Sequence, residues 1–420
     1  MPTPDFALSQ RVRRVKLSPN AAASARAAAL VAQGRDVLVL TSGEPDFDTP
    51  EPIKQAAVAA LARGETKYTG TAGTAALRRA VSAKYARENA LDYPASQVIV
   101  ANGGKQVIYN AFAATLDAGD EVILPAPYWP SFPDMVLVND GTPVIVPCTE
   151  ASGFKIGPAA LEAAITTRTR WLVLNTPGNP TGALYSGEEL AALAAVLRRH
   201  PQVLVLLDEL YEHIWFTPEA PPHWLTLAPD LKPRTLLVNG ASKTYAMTGW
   251  RIGYGVGPAP LIAAMTVVQS QVSSGANAIA QAAVAAALDA VDQSFVAQAR
   301  AAYARRAAFV AAAVGAIPGL AVRAPQGAFF AFVNCAGLLG RLRPDGAAIA
   351  SDTEVVDWLL ASEGVAAVDG PSYGLSPYFR ISVAASDAVL ADAVQRIARA
   401  VAALRPAGSG AVAPPPERAA

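Results

Sequence analysis

The sequence predicts an α/β protein with a large domain on a mostly parallel sheet and a second, smaller domain. Three observations carry that expectation. Between about residues 97 and 257, short apolar runs recur and each closes in small or polar residues, as buried parallel strands do. Helical stretches separate several of these runs, so strands and helices alternate. A chain of 420 residues that is 52% hydrophobic and 16% charged can bury a large core, in two domains.

Taken in order, the apolar runs lie at 97–101, 121–124, 144–146, 171–174, 203–207, 235–238 and 251–255. Residues 188–199 place leucines at 190, 193 and 197, the spacing that gives a helix one apolar face, between two of those strands. The alanine-rich stretch 276–315 reads as one or two long helices. Residues 326–332 and 378–382 follow as strand-like pieces of the smaller domain. The tail at 406–420, rich in Pro, Gly and Ala, has the composition of a disordered segment. There is no internal repeat at solenoid periods.

Charge and cysteine usage exclude several classes. Lys+Arg and Asp+Glu both number 34, so no global electrostatic attraction to nucleic acid or to an anionic membrane exists. Cys148 and Cys335 have no Cys or His at metal-ligand spacing, which argues against a zinc site or a disulfide framework and fits a reducing cytoplasm. No apolar run approaches spanning length, and no signal peptide is expected.

The chemistry concentrates after the strands, where ligands gather in such sheets. Lys243 follows an apolar strand in Gly240-Ala-Ser-Lys-Thr-Tyr-Ala-Met-Thr-Gly-Trp-Arg251, with Arg251 eight residues on. Pyridoxal phosphate needs such a pair: an amine for its aldehyde and a fixed cation for its phosphate. Gly103 and Gly104 open a helical pattern after the first strand, where backbone amides can approach a phosphate; a plain strand-to-helix turn would read the same. Asp208 ends a five-residue apolar run, so its carboxylate needs a cation, either a protonated pyridine nitrogen or a structural partner. Tyr211 and Asn179 can both reach the phenolic oxygen of such a ring, although Asn179 also suits a Pro/Gly turn. Trp129 offers a flat face for stacking, or a core aromatic. Arg380, inside an apolar strand, calls for a carboxylate from a substrate or from the protein.

In this order these residues resemble the fold-type I aminotransferases, most nearly the bacterial aspartate aminotransferase subgroup. The resemblance spans about 10–404 and rests on Gly43-Glu-Pro-Asp-Phe-Asp-Thr-Pro50, Thr66-Lys-Tyr-Thr69, Gly103-Gly-Lys-Gln106, Pro127-Tyr-Trp129, Asn179-Pro-Thr-Gly182, Asp208-Glu-Leu-Tyr-Glu-His213, Ser242-Lys243, Met247-Thr-Gly-Trp-Arg-Ile-Gly253 and Phe379-Arg-Ile381. It implies a large domain at 51–294, and a small α+β domain formed by 295–405 together with the N-terminal segment 1–50. It implies pyridoxal 5'-phosphate on Lys243, with Asp208 at the ring nitrogen, Tyr211 and Asn179 at the phenolic oxygen and Trp129 stacked. Arg251, Ser242 and the turn Gly103-Gly104-Lys105 would serve the phosphate, joined by Tyr68 from a neighbouring subunit of a homodimer. Arg380 and the backbone at Gly43 would hold the substrate α-carboxylate, with Trp129 and Asn179 beside it.

The resemblance further implies aspartate:2-oxoglutarate transamination by a ping-pong route through pyridoxamine phosphate, in a cytoplasmic enzyme with no metal. Lys105 matches a position associated with the distal carboxylate, although Asn20 replaces the usual threonine. Lys16 matches a basic position of prephenate-accepting members and equally suits the solvated run 11–16. Gly240 stands where related enzymes often carry a phosphate-binding serine. Prephenate or aromatic transamination, or lyase chemistry, stays open on this scaffold. Retention of all these side chains argues against a non-catalytic sensing module.

Overall fold

The computed structural model describes residues 7–290 and 292–406. Every apolar run becomes a strand of one seven-stranded sheet: β1 (Val98–Ala101), β2 (Glu121–Ala126), β3 (Thr142–Pro147), β4 (Thr169–Asn175), β5 (Leu204–Asp208), β6 (Thr235–Gly240) and β7 (Gly253–Val256). They stand in the order β1-β7-β6-β5-β4-β2-β3. Neighbours are parallel except at β7, which runs antiparallel to both β1 and β6. The last run starts two residues later than its apolar pattern, because Arg251 takes a left-handed backbone (φ 58) that a strand does not accommodate.

Both faces of the sheet are covered by α1 (Ala75–Asn89), α2 (Gly104–Thr115), α3 (Ser131–Val138), α4 (Gly187–Arg198) and α5 (Ala278–Asp289). Successive strand residues therefore alternate between two apolar layers. Leu172, Leu174, Val205 and Leu207 join the layer under α1, α4 and α5. Trp171, Val173 and Leu206 join the layer under α2 and α3. Burial on both sides is why these strands read as continuous apolar runs. At the start of α4, the Ser186 hydroxyl accepts from the Glu189 amide (3.2 Å) and Glu189 accepts from the Ser186 amide (2.7 Å), a reciprocal cap that stabilises the helix by about 1 kcal/mol.

A four-stranded antiparallel sheet forms the second layer system: β8 (Ala321–Val322), β9 (Phe330–Asn334), β10 (Val368–Asp369) and β11 (Tyr378–Ser382), in the order β10-β11-β9-β8. It packs with α6 (Ser294–Gly315) and α7 (Asp387–Ala402) around Tyr303, Phe329, Val310 and Leu390. The alanine-rich stretch is thus two helices, α5 and α6. The strand expected at 326–332 begins only at Phe330. Gly327 lies so close to the Ile214 carbonyl that a Cβ would approach it to 2.7 Å, and Ala328 takes φ 56, so these residues turn the chain. Residues 38–39 pair in parallel with 365–366, which ties the N-terminal segment to this smaller sheet's end of the chain. Apart from Pro406, the tail expected to be disordered lies outside the described residues. Among the described residues, no helix is long and apolar enough to cross a membrane.

Candidate active site

Register sets the site. Asn175 pairs with Asp208, and Asp208 with Val238, so β4 and β5 end level and β6 runs two residues further to Gly240. The segments that follow them enclose a cavity of about 150 Å³. Gly43, Gly104, Lys105, Trp129, Asn179, Asp208, Tyr211, Ser242, Lys243, Arg251 and Arg380 line it, joined by Asn20 and Asn175.

One end is a cradle of close backbone. Gly103 has φ 88, and a Cβ there would strike the Arg251 guanidinium. A Cβ on Gly253 would strike the Gly104 amide at the start of α2. These two glycines let β7 and the α2 N-terminus meet, where the first amides of a helix lack intrahelical partners and attract anions. Arg251 donates to the carbonyls of Thr248 (2.9 Å) and Asn102 (3.3 Å), and it has no carboxylate partner among the described residues.

The centre holds ionisable groups that, among the described residues, form no salt bridge and whose shifts are dominated by burial. Asp208 is buried and accepts from the Leu210 amide at 3.1 Å. Burial pushes its carboxyl up to about 7; the Leu210 amide and the more distant Lys243 work against that, and Glu209 adds to it. Lys243 donates to the Gly43 carbonyl at 2.5 Å. Burial draws its ammonium down to about 8, against the pull of Glu44 and with help from Arg251 and Arg380. Burial also raises the Tyr211 hydroxyl well above its ordinary range, opposed by Arg380 and by a hydrogen bond from Asn179. Tyr211 is held edge-on by Phe329 and Phe330, with ring centres at 5.3 and 5.7 Å, so the smaller domain positions it.

Arg380 is wholly buried, the most telling feature of the far end. It donates to Asn179 Oδ1 (3.0 Å) and the Thr41 carbonyl (2.6 Å), while its Nε has no partner among the described residues. Its guanidinium lies over Phe330 (4.2 Å) and Tyr373 (5.2 Å). An unpaired buried guanidinium is costly. This one is poised to accept a carboxylate from outside the chain.

Two expected residues lie away from this cavity. Tyr68 is 98% exposed. Lys16 is exposed, and its backbone amide, rather than its side chain, bonds the Asp134 carboxylate. Lys105 has its ammonium 4.9 Å from the centre of the Trp129 ring, so a cation already faces that ring. Partial desolvation, then the Arg251 charge, lower the Lys105 pKa, and Asp134 opposes them. Asn175 has a place that the sequence reading left without a role: it donates to the Asp208 carbonyl (3.1 Å) and accepts from the Asn179 amide (2.8 Å), binding two tips together. Its signal was present, a polar residue closing an apolar strand. The Thr41 carbonyl carries no such signal.

A lysine at the carboxyl edge of a mixed seven-stranded sheet and a buried arginine from a smaller antiparallel sheet thus line one cavity, as expected of an aminotransferase. The chain belongs to the class I and class II aminotransferase family, whose profile matches residues 35–397. It is 49% identical over 395 residues to an aspartate aminotransferase of Rhizobium meliloti (strain 1021), covering 94% of this chain and 96% of that one. An aspartate/prephenate aminotransferase of Cereibacter sphaeroides is 48% identical over 390 residues, covering 93% and 97%. The crystal structure of the Rhizobium meliloti aspartate aminotransferase superimposes with a TM-score of 0.92 at 48% identity, covering 95% of this chain and all (100%) of that one. The Thermus thermophilus aspartate aminotransferase solved with maleate superimposes with a TM-score of 0.88 at 40% identity, covering 94% and 100%.

Proposed function

We propose that this enzyme transfers the amino group of L-aspartate to 2-oxoglutarate, giving oxaloacetate and L-glutamate in a ping-pong cycle, with pyridoxal 5'-phosphate in the cleft. One observation carries the reading: Asp208 and Arg380 are buried and Lys243 is half-buried around one cavity, and among the described residues neither Asp208 nor Arg380 has an oppositely charged side chain within ion-pair distance. A cationic ring, an aldehyde and a carboxylate are what they lack. When bound, the cofactor supplies an electron sink for the amino acid's α carbon.

The chain's own groups do the rest. Asp208 keeps a ring nitrogen protonated, because a neighbouring cation lets its carboxylate stay ionised despite burial. Tyr211 and Asn179 hold the phenolic oxygen, and Trp129 covers the ring. Arg251, Ser242 and the amides at Gly103, Gly104 and Lys105 hold the phosphate, and the exposed Tyr68 reaches the phosphate of the neighbouring subunit in a homodimer. Arg380 grips the substrate α-carboxylate against the Gly43 backbone. The amine of Lys243, drawn down to about 8, would be the base that moves the proton between the amino acid's α carbon and the cofactor's C4′.

Lys105 supplies the cation for a distal carboxylate, in keeping with a Thermus thermophilus relative solved with the dicarboxylate maleate. Acceptance of prephenate is the second reading, supported by the names of relatives such as that of Cereibacter sphaeroides and by Lys16 near Asp134. We read 51–294 as the large domain and 1–50 with 295–405 as the small one, supported by the pairing of 38–39 with 365–366. Two free, buried cysteines and balanced charge support a cytoplasmic setting.

The test is donor and acceptor profiling of the purified holoenzyme. Aspartate and glutamate should lead alanine and phenylalanine by at least roughly tenfold in kcat/KM. Equal rates for all four would remove the assignment to acidic substrates. Release of ammonia and pyruvate from a sulfur amino acid without any keto acid would overturn transamination itself.

A further inference from the structure

The segment after β5 faces two ways. Asp208 and Tyr211 enter the cleft, whereas Glu209, Glu212 and His213 line a separate cavity of about 750 Å³ behind it. There Glu212 meets Lys84, a wholly buried lysine of α1, at 2.5 Å. Lys84 also donates to Asn89 Oδ1 (3.1 Å) and lies 3.6 Å from Glu88. Glu88, Glu212 and His213 could together present ligand atoms to a metal ion, but the Lys84 ammonium already neutralises that cluster.

The chain of contacts continues toward the cleft. Glu212 Oε1 accepts from Asn239 Nδ2 (2.6 Å), and Asn239 Oδ1 accepts from the Gly240 amide (2.7 Å). Gly240 opens the short helix that carries Lys243. On the far side of Lys243, the Thr244 hydroxyl bonds His213 Nδ1 (3.1 Å), and His213 Nε2 bonds Glu88 (3.0 Å). Both flanks of the reactive lysine are therefore fastened to the charge cluster around Lys84, one through Glu212 and the other through His213 and the exposed Glu88.

We propose that Lys84 is a positioning residue for Lys243, acting through Glu212 and Asn239 on the Gly240 backbone. This rests on the role given to Lys243 above. Glu212 must be ionised and fixed to orient the Asn239 amide. Burial opposes its ionisation, yet Lys84 and His213 hold its carboxyl below the ordinary range. Lys84 keeps Glu212 charged, Glu212 fixes which way Asn239 faces, and Asn239 sets the turn from which Lys243 springs.

The experiment compares Asn239→Ala, Lys84→Met and the double variant Lys84→Met/Glu212→Leu with wild-type holoenzyme, by pH titration of the cofactor's visible absorbance and by steady-state kinetics. Asn239→Ala leaves the ion pair intact, and the double variant removes both charges, so neither strands a buried ion. All three should move the absorbance midpoint by about half a pH unit or more. They should lower kcat roughly tenfold while KM stays within about threefold. Wild-type midpoints and kcat in Asn239→Ala and in the double variant would overturn the proposal. A shift in Asn239→Ala alone would overturn it for Lys84. Absence of a pH-dependent visible band in the wild type would overturn the cofactor reading instead.

Discussion

The two sides of the segment 208–213 treat buried charge in opposite ways. In front, among the described residues, Asp208 has no cationic side chain within ion-pair distance, and Arg380 is buried with an unpartnered Nε. Behind, Lys84, Glu88, Glu212 and His213 satisfy one another at 2.5 to 3.6 Å. The six-residue segment contributes Asp208 to the first arrangement and Glu212 and His213 to the second. Charge left uncompensated in a core is tolerated where a ligand completes it; charge compensated within the chain holds the frame.

Breaking the rear side should produce the larger effect on stability. Glu212→Leu leaves Lys84 buried beside Glu88 alone, so the cofactor-free protein should lose about 3 to 5 kcal/mol in denaturant unfolding. A loss under about 1 kcal/mol would mean that the rear charges are not acting as a frame.

The front side should respond with the opposite sign. The folded-state pKa of Asp208, about 7, lies above the ordinary carboxylate value near 4, so between those values the folded protein binds more protons than the unfolded one. Its ionisation therefore takes stability away as pH climbs through that window, and the full penalty is present above about pH 7. Cofactor-free Asp208→Asn should match wild type near pH 4 and melt higher than wild type at pH 8. If Asp208→Asn melted lower at pH 8, Asp208 would have a hidden cationic partner, and the contrast between the two sides would fail.

Much of this was legible in the sequence. The seven apolar runs all became strands, because a strand buried on both faces leaves an uninterrupted apolar signature. Asp208 and Arg380 stood out because each is a charged residue at the end of, or inside, an apolar stretch, and the resemblance to aminotransferases tied Lys243 and Asn179 to the same cleft. The direction of β7 could not be read, since a four-residue run looks the same in either sense. Nor could the rear side. Lys84 sits in a helix among Arg78, Arg79 and Arg87, where it reads as one more solvated charge, and its partner Glu212 is 128 residues away. The likeness to aspartate aminotransferases pointed to Lys105 for the substrate; that its ammonium rests over Trp129 depends on two strand tips being brought together, which no local pattern announces.

The most direct measurement is borohydride reduction of the yellow holoenzyme, followed by peptide mass mapping. A single phosphopyridoxyl mass addition on the peptide containing Lys243 is the expected result. The same addition on Lys84 or Lys105, or on no lysine at all, would contradict the claim that the unpaired front-side charges are arranged around a cofactor tethered to Lys243.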